Sequence, residues 1–258
     1  MKAGFDTRIV SYENIHSIAP TDWNKLLKAI NPQPNEIILD GMCGYGAVGK
    51  GILEKEKSVY LFLSDESEVQ IERAMKNLPK ISKSNFSIDS FPKSKFKENF
   101  FDKVVIKMGL HEVPKKEQLN VVKEAKRILK PKGKFIIWDI MLNSQTQSLF
   151  QDVIRKKDKL SGFETLTRER YFFREEEFLE TMKKAKFSKI KEFHTINYRF
   201  SSEKRLESEF HNDLTKLDSL NKFIRERFPE ELKKPLRFED KEKDIQFNII
   251  KKIFVMTK

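Results

Sequence analysis

The sequence predicts an α/β fold built on a mostly parallel sheet. Between residues 36 and 138, short apolar runs alternate with amphipathic stretches five times, the pattern of repeated strand–helix units. The runs are apolar throughout rather than every second residue, as expected for strands buried on both faces. The chain has 258 residues, enough for one large domain with a real core.

Residues 36–40 read as the first strand, after the Pro- and Asn-rich breaker 31–35. A glycine-rich turn leads into a helix over 47–57, with Val48, Ile52 and Leu53 inward. Residues 58–63 form the second strand. A helix over 66–78 follows, its apolar face made by Val69, Ile71, Ala74, Met75 and Leu78, and Pro79 ends it. Residues 86–88 and 102–108 give the third and fourth strands. Leu119, Val122, Ala125, Ile128 and Leu129 recur at helical spacing over 115–130, and the turn at 131–134 opens a fifth strand at 135–138. Beyond residue 142 the pattern is less regular. It predicts a helix over 175–186, a sixth strand over 190–200 and a last strand over 245–256. Residues 201–244, with a helical stretch at 204–228, are too long for an ordinary connection, so they read as a cap or lid.

The formal net charge is +12, which favours anionic partners at long range. Lysines cluster at 80–97, among Phe86, Phe91 and Phe96, and again at 123–134. Charge spread evenly over the chain reads as a solvated surface before it reads as a nucleic-acid stripe. One cysteine, Cys43, excludes an intrachain disulfide, and with four histidines no thiolate-rich metal site is expected. Residues 1–10 lack the apolar core of a secretory signal and no run approaches a membrane span, so the expectation is a cytoplasmic protein.

Gly44-Tyr45-Gly46-Ala47-Val48-Gly49 matches G-x-G-x-x-G between a strand and a helix. Such a turn lets a ligand approach the backbone beside unpaired helix N–H groups. Asp65 ends the second strand, where a carboxylate can accept from a ribose diol. These features fit NAD and S-adenosylmethionine equally. Three others favour the latter: Asp40 just before the turn, Asp89-Ser90 after the third strand, and the Leu129-Lys130-Pro131-Lys132-Gly133 link into the fifth.

With these residues the chain resembles the class I S-adenosylmethionine-dependent methyltransferases, in particular those similar to the ubiquinone/menaquinone biosynthesis group. The segments are ILDGMCGYG (38–46), FLSDESEVQIERA (62–74), SIDSF (87–91), FFDKVVIKMGLHEV (100–113), AKRILKPKGKFIIWD (125–139) and AKFSKI (185–190). The resemblance implies a Rossmann-like sheet of seven strands, mostly parallel with an antiparallel last strand, and helices on both faces. The helical cap would be added to it. It implies one domain over 1–258, with the N-terminal helical segment 1–30 folding over the cofactor. Asp40, Gly44 and Gly46 would wall the methionine part. Asp65, with Glu66 beside it, would hold the ribose. Asp89 and Ser90 would bracket the adenine, and Lys107 and Met108 would lie near the sulfonium. Two departures stand out: Met42 replaces the family's first glycine of the turn, and Tyr45 its small hydroxyl residue.

The chemistry implied is in-line methyl transfer to a small-molecule acceptor, an anionic one suiting the positive charge, with S-adenosylhomocysteine as product. Aligning the reacting atoms is then the protein's main task. His111 is the best-placed candidate base, although His111-Glu112 reads first as a pair that caps or orients the loop before Pro114. Cys43 reads as packing behind the turn. Tyr12, Trp23 and the Tyr171-Phe172-Phe173 run read as pocket lining or core, and Asp6 and Arg8 lie in the N-terminal segment. His16, His194 and His211 have no motif context. Competing readings are a nucleic-acid (RNA) methyltransferase, which lacks the [DN]-P-P-[YFW] signature after the fourth strand, an NAD-dependent oxidoreductase, and a non-catalytic binder of the cofactor. Acceptor identity and oligomeric state are not encoded in any motif.

Overall fold

The computed structural model describes residues 19–258. The elements run α1 (Pro20–Ile30), β1 (Ile37–Gly41), α2 (Ala47–Lys55), β2 (Tyr60–Asp65), α3 (Glu68–Asn77), β3 (Phe86–Ile88), β4 (Phe101–Lys107), α4 (Lys115–Ile128) and β5 (Leu129–Ile140). They continue as α5 (Ser144–Leu160), α6 (Glu164–Glu169), α7 (Glu175–Lys184), β6 (Ser188–Ser201), α8 (Arg205–Ser208), α9 (Leu214–Arg227), α10 (Glu230–Lys233), β7 (Glu239–Asp240) and β8 (Ile245–Thr257). The sheet order is β3-β2-β1-β4-β5-β8-β6, with β7 paired to β8. Strands β1 to β5 pair in parallel, and β8 lies antiparallel between β5 and β6. The expected sheet of seven strands is present, and the eighth is the two-residue β7. Among the described residues no helix is long and apolar enough to cross a membrane.

Alternation along each central strand feeds two cores. Leu39, Val104, Ile106 and Ile137 meet Val121, Val122 and Ala125 of α4 and Phe178 and Met182 of α7. Ile38, Leu61, Leu63, Val105 and Ile136 face α1 and α2. A third core, at the far ends of β5, β6 and β8, joins Ile140, Phe200, Phe247 and Ile249 to α5 and α9.

Three local outcomes differ from the sequence reading. Residues 143–174, read as irregular, hold α5 and α6. Asn143 starts α5 by accepting from the N–H of Gln145 and Thr146, while the Thr146 hydroxyl accepts from Asn143 N–H, a full capping box. The single helix over 204–228 is two, because His211 and Asn212 take left-handed backbone (φ 54° and 63°) and Asp213 caps a new start at Leu214, accepting from Thr215 N–H. The turn at 131–134 does not precede β5 but interrupts its pairing with β4 as a bulge, with Lys132 left-handed.

Candidate functional site

In an open parallel sheet, ligands bind beyond the strands' carboxyl ends where the order reverses, here between β1 and β4. A cavity of about 300 Å³ opens there, at the lower end of the range for small-molecule sites. Asp40, Met42, Gly44, Asp65, Asp89 and Lys107 lie in its wall, joined by Glu66, Ser90 and Met108. All the sequence-predicted cofactor residues except Gly46 therefore meet around one space.

Gly46 belongs elsewhere. It lines a separate shallow groove beside Trp23 and Lys50. A Cβ there would press on Leu63, Ala74 and Leu78, so it lets the turn seat against β2 and α3 rather than walling the cavity. Gly44 is half-buried but open toward the cavity: its φ is +53° and a Cβ would meet nothing within 4 Å. The backbone is bare at that point, which suits close approach of a ligand.

The turn is held by carboxylates. Asp65 accepts from Gly44 N–H at 2.8 Å and from Ser67 N–H at 3.0 Å. Asp40 accepts from Gly49 N–H at 2.9 Å. Asp89 accepts from Lys95 N–H at 2.7 Å. Burial pushes the Asp40 carboxyl up to about 7, although the Gly49 N–H and the Lys107 ammonium favour its charged form. Burial likewise pushes Lys107 down, against the attraction of Asp40 and Asp139. Cys43 is half-buried in the same wall; burial and the nearby Asp40 and Asp65 carboxylates push its thiol up, whereas thiolate reactivity needs the reverse.

Met42 occupies left-handed backbone at φ 54°, the conformation for which a glycine is suited. Its side chain packs against Gly109, where an added Cβ would come within 3.0 Å of Met42 atoms. The methionine thus lies in the cavity wall and against the β4 loop, without closing the space.

His111 is not in this wall. It is buried behind it, ring-stacked on Phe172 at 4.8 Å. Nδ1 lies 2.5 Å from Asp139 Oδ1 and Nε2 lies 3.3 Å from Glu112 Oε1. Burial works to lower its pKa, but the two carboxylates prevail and raise it to about 9. With both ring nitrogens committed to carboxylates, His111 is an imidazolium that ties β5 to the loop after β4. In this arrangement the ring nitrogens expected to act as a base face two carboxylates, and His111 lines the second chamber behind the wall.

Behind Met108 and Glu112, which line both spaces, lies a second chamber of about 50 Å³. Its walls are charged: Lys157, Arg170, Arg205, Glu209 and Lys251, with Tyr198. Sequence reasoning missed this group. One signal was present: Lys251 falls in phase with Phe247, Ile249 and Ile253, the inward residues of β8.

The other sequence candidates resolve simply. Trp23 packs against Gly51, and Phe173 is core. The Tyr171 hydroxyl donates to Glu177. His194 faces Asp22 at 3.5 Å. None of the described residues of α1 lines the larger cavity. Asp6, Arg8, Tyr12 and His16, and with them the segment expected to fold over the cofactor, lie outside the described residues.

Residues 38–133 match the methyltransferase domain family. The ubiquinone/menaquinone biosynthesis C-methyltransferase of Rickettsia bellii is 33% identical over 128 residues, covering 47% of this chain and 50% of that protein. The chain thus spans about half the length of the curated relatives it matches. Among solved structures, a candidate methyltransferase from Bacillus halodurans superposes with a TM-score of 0.76 at 18% identity, covering 92% of this chain and 98% of that one. Phosphoethanolamine N-methyltransferase 2 of Haemonchus contortus, solved with phosphomonomethylethanolamine and S-adenosylhomocysteine, gives 0.61 at 18% identity, with 98% and 57% covered. The fold is that of the class I methyltransferases.

Proposed function

We propose that this chain, whose residues 38–133 match the methyltransferase domain family on a class I methyltransferase fold, is an S-adenosylmethionine-dependent methyltransferase acting on a small-molecule acceptor. The observation that carries the reading is the convergence of Asp40, Gly44, Asp65 and Asp89 from three strand ends on one cavity within the matched region.

The residues present fit the cofactor. Gly44 offers a bare backbone surface. Asp65 and Glu66 suit a ribose diol, and Asp89 and Ser90 suit an adenine edge. Asp40 supplies a carboxylate toward a cationic amino acid end. When bound, S-adenosylmethionine supplies an activated methyl group on a sulfonium. The chain's own work is to hold the acceptor in line with it at Met108 and Lys107 and to exclude water.

An NAD site is the weaker reading. The dinucleotide fold keeps the order 3-2-1-4-5-6, whereas here the antiparallel β8 separates β5 from β6. A nucleic-acid acceptor has less support as well. Lys126, Arg127, Lys130, Lys132 and Lys134 sit where α4 ends and β5 begins, at the amino end of the parallel strands and so opposite the cavity, and Arg127 and Lys130 are paired with Glu124 and Asp102.

Calorimetric titration of Asp65→Ala with S-adenosylhomocysteine tests the assignment. Loss of a charged acceptor should weaken binding by about 1.5–3 kcal/mol. Unchanged affinity would remove Asp65 from the site.

A further inference from the structure

The second chamber holds an unusual concentration of buried charge, and nearly all of it is internally matched. Asp139 and Glu112 enclose His111. Arg170 bridges Glu112 at 2.6 Å and Asp158 at 3.0 Å. Lys157 contacts Asp158 at 2.6 Å and also pairs with Glu209. Glu209 in turn holds Arg205 at 3.3 Å. Four carboxylates and four cations thus form one continuous chain of ion pairs.

Lys251 stands outside it. The residue is 6% exposed and lines the chamber. Its ammonium makes no hydrogen bond or ion pair among the described residues. Its neighbour is the face of Tyr198, 3.6 Å from the ring centroid, and that ring's hydroxyl already accepts from Arg205 at 2.9 Å. The strand places the lysine inward by register, opposite Ile140 of β5 and Ile196 of β6. A buried ammonium without a counter-ion is costly, so its retention at an inward position asks for a ligand that completes it.

We propose that the second chamber is the acceptor's recognition pocket and that Lys251 binds a carboxylate carried by the acceptor. This rests on the methyltransferase reading for the word acceptor, but not for the binding itself. The small volume holds one acidic group rather than a whole molecule. The rest of the acceptor then lies across Met108 toward the larger cavity, whose lining includes Val113, Pro114 and Leu166, which makes its body apolar or aromatic. A carboxylate fits better than a neutral hydroxyl, because Lys107 from β4 and Arg205 from α8 add positive potential at Lys251, partly offset by Asp139 from β5 and Asp22 from α1, while Glu112 and Glu209 of the same lining are held by Arg170 and by Lys157 and Arg205. Burial, then Lys107 and Arg205, push the Lys251 ammonium down to about 7. An incoming anion restores its proton affinity.

The test uses benzoate as probe, with benzamide and benzylammonium as its neutral and cationic counterparts. Each is titrated into the full chain with and without S-adenosylhomocysteine, for wild type, Lys251→Met and Lys251→Arg. Methionine preserves length and removes a buried charge, so that variant should fold. Benzoate alone should bind. Lys251→Met should weaken it about tenfold or more, as for loss of a charged hydrogen bond, and Lys251→Arg should retain much of it. Affinity should fall as pH rises through 7, where the ammonium loses its proton. Equal benzoate affinity in wild type and Lys251→Met, tighter binding of benzylammonium, or no benzoate binding at all would overturn the proposal. Failure of S-adenosylhomocysteine to bind, with Lys251-dependent benzoate binding intact, would count against the methyltransferase reading alone.

Discussion

Asp40 gives a prediction in which stability and ligand binding move in opposite directions. The carboxyl is 1% exposed and its pKa is raised from 3.8 to about 7. The folded protein therefore holds this proton more tightly than the unfolded chain does. Between pH 4 and pH 7 the unfolded state ionises first, so stability falls as pH rises across that window. At about 1.4 kcal/mol per unit of pKa, the full cost approaches roughly 4 kcal/mol by pH 8 and is near zero at pH 4. Asp40→Asn keeps an oxygen to accept the Gly49 N–H and removes the charge. Urea unfolding should show the variant more stable than wild type by up to that amount at pH 8, and about equal at pH 4. In the same variant, affinity for S-adenosylmethionine at pH 8 should fall, because the cationic ligand loses its carboxylate. A stability difference that is the same at both pH values, or a variant less stable at pH 8, would refute the argument from desolvation.

Two further outcomes concern the charge chain. His111, raised from 6.5 to about 9, contributes stability that is present below pH 6.5 and lost as pH rises through 9. Its ring signals in NMR should titrate near 9, and His111→Gln should cost about 3 kcal/mol at pH 6 and much less at pH 10. Arg170→Met leaves Glu112 and Asp158 without their guanidinium, which should cost about 3–5 kcal/mol in chemical unfolding at pH 7. A loss below about 1 kcal/mol would mean that the carboxylates find other partners or take up protons.

The central strands β1 and β4 were legible because burial on both faces demands unbroken apolar runs, as in Ile37-Ile38-Leu39 and Val104-Val105-Ile106. The cavity wall was legible for a related reason: its residues lie in order at successive strand ends, so linear spacing maps onto one end of the sheet. Gly46 shows the limit, since a glycine in a motif can serve the packing beneath a turn as well as the surface above it. The second chamber was illegible by the same logic. Lys157, Arg170, Arg205 and Lys251 come from separate segments, and in a chain of net charge +12 they look like surface residues until folding buries them. His111 was legible as a residue of the loop after β4, but sequence says nothing of Asp139 and Glu112 at its two nitrogens. The break at 209–213 was hidden because Asn and His adopt left-handed backbone only under local constraint.

The central claim is that the cavity at the ends of β1 to β4 takes the sulfur cofactor. Titration calorimetry of the full chain with S-adenosylmethionine, S-adenosylhomocysteine and NAD in parallel tests it most directly. Saturable one-to-one binding of both sulfur compounds, with no heat from NAD, is the predicted result; binding of NAD with silence from the other two would contradict it.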